Sequence, residues 1–217
     1  MPTLDELRAG RLPLGFYQRD ALVVARALLG QYLVSAPAGE APRVVRIVET
    51  EAYRGTTDRA CHASKGLTKR TKTLLGPAGH AYVYLIYGMY DCFNVVAGGA
   101  KQRGHAVLVR GVEPVLGIAE GARTDGPGRL TRAMALTRAN DASPLSGDEL
   151  FLSAGKRPRT VHVTPRVGVA YAGEDAELEY RFFDPSSRFV SRPSPGTIGL
   201  GGTKPAPPRH RSKREEA

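Results

Sequence analysis

Two glutamates stand either side of a threonine in the segment Arg46-Ile-Val-Glu-Thr-Glu-Ala-Tyr53. In an extended strand, Glu49 and Glu51 project to one face and Thr50 to the other. Paired carboxylates at the end of a strand that runs straight into a basic loop suit general-base chemistry. The plainer alternative gives one glutamate to solvent and the other to an arginine, and periodicity does not choose between them. A second constellation lies downstream, where Tyr82, Tyr84, Tyr87 and Tyr90 follow Lys65, Lys69, Arg70 and Lys72. Aromatics interleaved with cations are what base stacking and phosphate neutralisation require. For any single tyrosine the competing reading is a side chain packed inside a core strand. Tyr82 and Tyr84 share one strand face while Val83 and Leu85 fill the other, and Gly88 breaks the strand just after Tyr87. That break suits a turn presenting a side chain outward. His62, next to Cys61, has no partner spacing that marks a metal site. The runs Gly76-Pro-Ala-Gly79 and Gly98-Gly99 match neither a phosphate-binding loop nor a dinucleotide fingerprint and read as turns.

The elements that would position these residues follow from pattern. Asp20 can cap a helix running to about Leu29, with Leu22, Ala25, Leu28 and Leu29 on one stripe and Gly30 as its stop. Strands are expected at Gln31–Ser35, Val44–Glu51, the tyrosine-rich run from Ala81, Cys92–Val96 and Ala106–Val112. Residues 54–80 are polar and aperiodic, and a loop of that length inside a compact domain is usually functional or disordered. A short helix is expected after Glu113-Pro114 and another at about Leu130–Leu136. Short strands at Leu150–Leu152, Thr160–Val163, Val167–Tyr171 and Glu179–Phe183 complete an antiparallel-rich α+β pattern.

Composition narrows the partners. The 217 residues carry 31 Lys+Arg against 21 Asp+Glu, a net charge of +10. Such an excess favours a polyanion, because neutralising phosphates releases condensed counterions. Two cysteines, Cys61 and Cys92, are too few for a disulfide framework and read as reduced thiols. No apolar stretch approaches the roughly 20 residues of a membrane span, and the N-terminus lacks a secretory pattern. The chain reads as a cytoplasmic protein, expected to be monomeric. Residues 1–198 are expected to form the domain, and 199–217 a basic, disordered tail containing Arg209-His-Arg-Ser-Lys-Arg214.

Together these segments resemble the 3-methyladenine (alkyladenine) DNA glycosylase family. The matching pieces include Arg46–Tyr53, His62, Tyr82-Val-Tyr-Leu-Ile-Tyr-Gly-Met-Tyr90, Cys92-Phe-Asn-Val-Val96, Ala106–Pro114, Gly126-Pro-Gly-Arg-Leu130 and Pro165-Arg-Val-Gly-Val169. The opening Phe16-Tyr-Gln-Arg-Asp20 and Ala25–Gly30 fit as well. The resemblance implies a single mixed domain around a curved, largely antiparallel sheet, with a protruding β-hairpin that enters DNA. It implies release of alkylated or deaminated purines from double-stranded DNA by base flipping and a water-mediated cut of the N-glycosidic bond, with neither metal nor cofactor. By matching position, Glu51 would be the base that deprotonates the water, and Arg110 would hold that water and the nearby backbone. Tyr53 and His62 would sandwich the flipped base, with Tyr84 on its other side. Asn94 would line the pocket floor and reject the 2-amino group of guanine, and Tyr87 would be the wedge filling the vacated stack. The positive charge of an alkylated purine strengthens its attraction to π-faces and weakens the bond to the sugar. Departures occur where the family has Thr-x-Arg-Asn-x-x-Met-Phe, which here reads Thr68-Lys-Arg-Thr-Lys-Thr-Leu-Leu75, and at Glu179-Tyr-Arg-Phe182, where Pro-Trp-Arg-Phe is common. A lyase using an amine from Lys65, Lys69 or Lys72 is the competing chemistry, and a binding protein without catalysis the competing class.

Overall fold

The computed structural model describes residues 1–86 and 88–192. Tyr87, the expected domain boundary at residue 198 and the basic segment 199–217 lie outside the described residues. Three helices open the chain. Helix α1 (Leu4–Ala9) starts in a capping box in which Glu6 N donates to Thr3 Oγ1 and Thr3 N donates to Glu6 Oε2. A single turn, α2 (Leu14–Tyr17), leads to α3 (Ala21–Leu28), whose first turn is closed by Leu22 N donating to Asp20 Oδ1. Gly30 ends that segment with φ of 84°, and a Cβ there would lie 2.1 Å from the Lys156 carbonyl oxygen, so no larger residue fits.

Among the described residues eight strands form one antiparallel sheet: β1 (Tyr32–Ser35), β2 (Arg43–Arg54), β3 (Ala81–Ile86), β4 (Tyr90–Ala97), β5 (His105–Leu116), β6 (Leu150–Ser153), β7 (His162–Thr164) and β8 (Arg181–Phe183). The order is β3-β4-β5-β2-β1-β6, with β8 on β2 and β7 on β8. Strand β2 is the spine. It pairs with β5 along one edge, while its other edge is shared by β1 at Arg43–Arg46 and β8 at Glu49–Glu51. Two partners diverging from one edge curl the sheet. The mixed α/β domain around a curved antiparallel sheet is therefore as the sequence implied.

Two assignments differ. The helix expected after Glu113-Pro114 is instead the end of β5, held in the sheet by Pro114 opposite Val45 and Leu116 opposite Val44. The strand expected at Val167–Tyr171 is replaced by 3-10 turns at Ala170–Glu177, broken at Gly173 by φ of 62°. Alternating apolar residues imitate a strand over so short a span. The loop 54–80 carries two 3-10 turns, Gly55–Thr57 and His62–Lys65. Helix α4 (Pro127–Ala133) begins three residues earlier than expected, with proline in its first turn.

The sheet separates two clusters. On one face, α3 packs over Val45, Ile47, Val95, Val107, Val109 and Phe182 in the main core. On the other, Cys61, Ala63, Leu74, Tyr82, Val96 and Ala106 form a smaller cluster against which Tyr53 and Tyr84 lie.

Candidate active site

A register change places the acidic residues on the second face. Ile47 pairs with Val112 and Glu49 with Gly111, so Val48 is an extra residue in β2. Thr50 then pairs with Val109, so Arg110 is an extra residue in β5. Before these bulges the odd residues Val45 and Ile47 face α3. After them the even residues do: Ala52 joins the same core and Thr50 Oγ1 donates to the Ala25 carbonyl at 3.0 Å. A one-residue slip inverts a strand's faces, and bulges recur beside active sites because they re-aim side chains. Glu49, Glu51 and Tyr53 thereby turn away from the core.

Both glutamates are fully buried, so neither is the solvent-facing charge that the plainer alternative required. Glu49 is committed to structure. Its carboxylate accepts from Ser191 N at 2.6 Å, Ser191 Oγ at 2.9 Å, Arg181 Nε at 2.7 Å and Arg110 Nε at 3.3 Å. Glu51 has lighter company: Val167 N donates to Oε1 at 2.7 Å and the Tyr53 hydroxyl to Oε2 at 2.8 Å. Arg110 Nε stands 3.4 Å from Glu51 Oε1, so the guanidinium bridges both acids. Burial opposes the Arg110 charge, but Glu51 and Glu49 outweigh it and hold the group above its ordinary pKa.

The aromatic residues line a narrow cleft of about 40 Å³, together with Cys61, Asn94 and Tyr171. His62 and Tyr84 form one wall: their rings meet edge to face at 4.6 Å, and Tyr82 lies 5.2 Å from Tyr84. His62 Nδ1 is 3.0 Å from the Tyr82 hydroxyl, and burial, reinforced by the charge of Arg70, pushes the imidazole down to about 4. Tyr53 is backed by Arg166, whose guanidinium carbon lies 4.8 Å from its ring centroid. Burial and the neighbouring Glu51 drive the Tyr53 phenol well above its usual range, so it stays a donor. Asn94 sits opposite Tyr82 on β4, its Nδ2 donating to the carbonyls of Tyr82 at 3.1 Å and Cys92 at 3.4 Å. Two such anchors fix its amide as a rigid part of the wall.

A second, wider groove of about 1240 Å³ meets the site at Arg110. Arg43, Arg123, Arg129, Arg132 and Arg192 also line it, against Asp125 as the one acid among its lining residues. Ile86 and Tyr90, the closing pair of the β3–β4 hairpin, form part of its rim, and Met89 in the hairpin turn is 66% exposed.

The structure thus gathers Glu51, Arg110, Tyr53, His62, Tyr84 and Asn94 into one region, while Tyr87 lies outside the described residues. Sequence reasoning missed their supports. Arg166 makes a buried two-point ion pair with Asp58 at 2.6 and 2.9 Å and fixes Tyr53 from behind. Ser191 locks Glu49 from 142 residues away in sequence. The only available signal was that Arg166 lies within the matched segment Pro165–Val169. Among the described residues no group of three or more His, Cys, Asp or Glu could hold a metal ion.

Residues 15–188 match the family model described as methylpurine-DNA glycosylase. A protein of Myxococcus xanthus (strain DK1622) is 55% identical over 188 residues, covering 85% of this chain and 96% of its own length. One from Methanocella arvoryzae (strain DSM 22066 / NBRC 105507 / MRE50) is 47% identical, over 86% of this chain and 98% of that protein. A third, from Legionella pneumophila (strain Corby), is 46% identical, over 84% of this chain and 98% of that protein. All three carry the name "Putative 3-methyladenine DNA glycosylase". With the match spanning most of the chain and all but a few per cent of each relative, the chain belongs to the methylpurine-DNA glycosylase family.

Proposed function

We propose that this protein is a monofunctional DNA N-glycosylase that draws damaged purine nucleotides out of double-stranded DNA and hydrolyses their N-glycosidic bonds. One observation carries the reading. Glu51 touches one lining residue of each cleft, Tyr53 of the aromatic pocket and Arg110 of the basic groove. With a base in the first and the phosphodiester backbone along the second, the bond joining base to sugar falls beside the carboxylate. Glu51 takes a proton from water, the oxygen attacks the sugar carbon, and the bonding pair leaves with the base, giving an abasic site. Arg110 fixes the carboxylate and lies toward the phosphates. Lys65, Lys69 and Lys72 are exposed on the loop and none lines the aromatic cleft, which favours water over an amine nucleophile.

The cleft is narrow, so a purine enters only as the Tyr53 and His62–Tyr84 walls part. Flipping costs a few kcal/mol, least for a damaged base, and stacking of roughly 1–3 kcal/mol per base offsets it. Tyr87, between Ile86 and Gly88 in sequence, is the candidate wedge. The substrates are alkylated or deaminated purines of the 3-methyladenine, 7-methylguanine, ethenoadenine and hypoxanthine class.

Base release from duplexes carrying one such lesion, followed chromatographically under single turnover, tests this. Glu51→Gln keeps an acceptor for Val167 N and turns an amide donor toward the Tyr53 hydroxyl oxygen, so binding of the damaged duplex should persist while the rate falls on the order of 10²–10⁴. Undiminished release by Glu51→Gln, or a borohydride-trapped covalent adduct with the wild type, would overturn the mechanism.

A further inference from the structure

The loop between the His62 turn and β3 is clamped on itself. Thr68 N donates to Thr71 Oγ1 at 2.7 Å, Thr71 N returns a bond to Thr68 Oγ1 at 3.1 Å, and Thr71 Oγ1 donates to the Gly66 carbonyl at 2.7 Å. Thr71 is buried, so the threonine that departs from the family pattern still closes the loop. The clamp delivers its neighbour, Arg70, onto the aromatic cleft. The Arg70 guanidinium carbon lies 5.0 Å from the Tyr84 ring centroid, and Nη2 donates to the Leu85 carbonyl at 2.6 Å.

Arg166 holds the same relation to Tyr53, but its charge is cancelled by Asp58 at 2.6 and 2.9 Å. Among the described residues no carboxylate pairs with Arg70. An aromatic ring has two π-faces, and on Tyr84 one is already occupied by an uncompensated cation. That charge also reaches the interior of the cleft, where it helps keep the His62 ring neutral.

We infer that Arg70 is a specificity-determining residue of the cleft: its unpaired charge on Tyr84 penalises positively charged alkylpurines relative to neutral damaged purines. The inference rests on the reading that the cleft receives the base. A cationic base stacked at roughly 3.5 Å on the Tyr84 face away from Arg70 lies about 8–9 Å from the guanidinium. Coulomb repulsion at that distance, between the dielectric limits of about 20 and 80, amounts to about a two- to thirtyfold factor. Arg70 is exposed, so screening brings the expected factor to about three- to tenfold.

The test measures kcat/KM for duplexes of identical sequence carrying either 7-methylguanine, which is cationic, or hypoxanthine, which is neutral. In Arg70→Gln the ratio of cationic to neutral substrate should rise about three- to tenfold over wild type. Arg70→Lys, which keeps the charge, should stay within about twofold of wild type. In parallel, the NMR titration of His62 should move to higher pH in Arg70→Gln. Equal losses on both substrates would make Arg70 a backbone contact only and overturn the inference, as would a lysine variant that behaves like glutamine or an unmoved His62 titration. Wild-type protein that released neither base would overturn the glycosylase reading and this one with it, an outcome visible before any variant is made.

Discussion

On the α3 side of the sheet, Val45, Ile47, Val107, Val109 and Phe182 pack against one another and against the helix, with the bond from Thr50 to Ala25 as a polar anchor. On the opposite side, a few ångströms of strand away, Glu49, Glu51, Arg110 and Arg181 are all less than 9% exposed. The first face follows the ordinary logic of apolar burial and tolerates small losses by partial collapse. The second buries charges, which is unfavourable unless every one is paired and hydrogen-bonded. The contrast teaches what each face is for. The apolar face holds register, and the charged face depends on it, because the bulges at Val48 and Arg110 decide which residues point where.

The largest effect that would sharpen this comparison is removal of the central acid of the charged face. Glu49→Ala leaves Arg110 and Arg181 without a shared carboxylate and opens the Ser191 contacts. Breaking a buried pair by deleting one partner typically costs about 3–5 kcal/mol, so chemical denaturation should show a loss of that order. Base release per folded molecule should drop too, since Arg110 then keeps Glu51 as its one carboxylate partner among the described residues, beside its bonds to the Ser191 hydroxyl. A variant of wild-type stability and rate would mean that the network is slack and the two faces are not built differently.

Next in size is a truncation on the apolar face. Leu28→Ala removes a fully buried α3 side chain and should cost about 2–5 kcal/mol. Single-turnover release by the remaining folded protein should be unchanged, because Leu28 belongs to the α3-side core while Tyr53 and Tyr84 pack with the cluster on the other face. If catalysis fell in step with stability, the sheet would be transmitting core strain to the site, and the division between faces would break down.

Much of this arrangement was legible in the chain. Strands β2, β4 and β5 stood out as β-branched runs, the tyrosine-rich β3 as an aromatic one, and the pairing of Glu49 with Glu51 on one face survived because both lie beyond the bulge at Val48. The bulges themselves were not legible. Periodicity locates a bulge only when one face is polar, and from Ile47 to Ala52 every residue of β2 is buried. The different surroundings of the two carboxylates were equally hidden, since they depend on Ser191, Arg181 and Val167, all more than 100 residues downstream. Local pattern misled at Pro114, where pairing with Val45 keeps the chain extended past a residue that suggested a helix start. Arg166 and Asp58 escaped notice because a buried ion pair between distant loops has no local spacing to reveal it.

The smallest effect expected is a pH dependence confined to the charged face. His62 is held at about 4 in the folded protein, against 6.5 for an unperturbed imidazole, first by burial and then by Arg70. Between those values the unfolded chain binds a proton that the folded protein does not. Folding stability therefore rises with pH through this window, and the contribution is present above 6.5 and is lost as pH falls toward 4. His62 is only partly buried, so solvent trims the effect, and other acid-sensitive groups are superimposed on it. The difference between wild type and His62→Gln isolates it: the variant should lose less stability than wild type between pH 6.5 and 4.5, while the two curves run parallel above pH 7. The same neutral ring implies that base release shows no inflection from His62 between pH 5.5 and 8, leaving the imidazole as a stacking surface and not a proton carrier. Stability curves that stay parallel throughout, or an inflection near 6.5 that disappears in His62→Gln, would show that the imidazole titrates freely and that this corner of the charged face is wetter than its contacts with Tyr82 and Tyr84 imply.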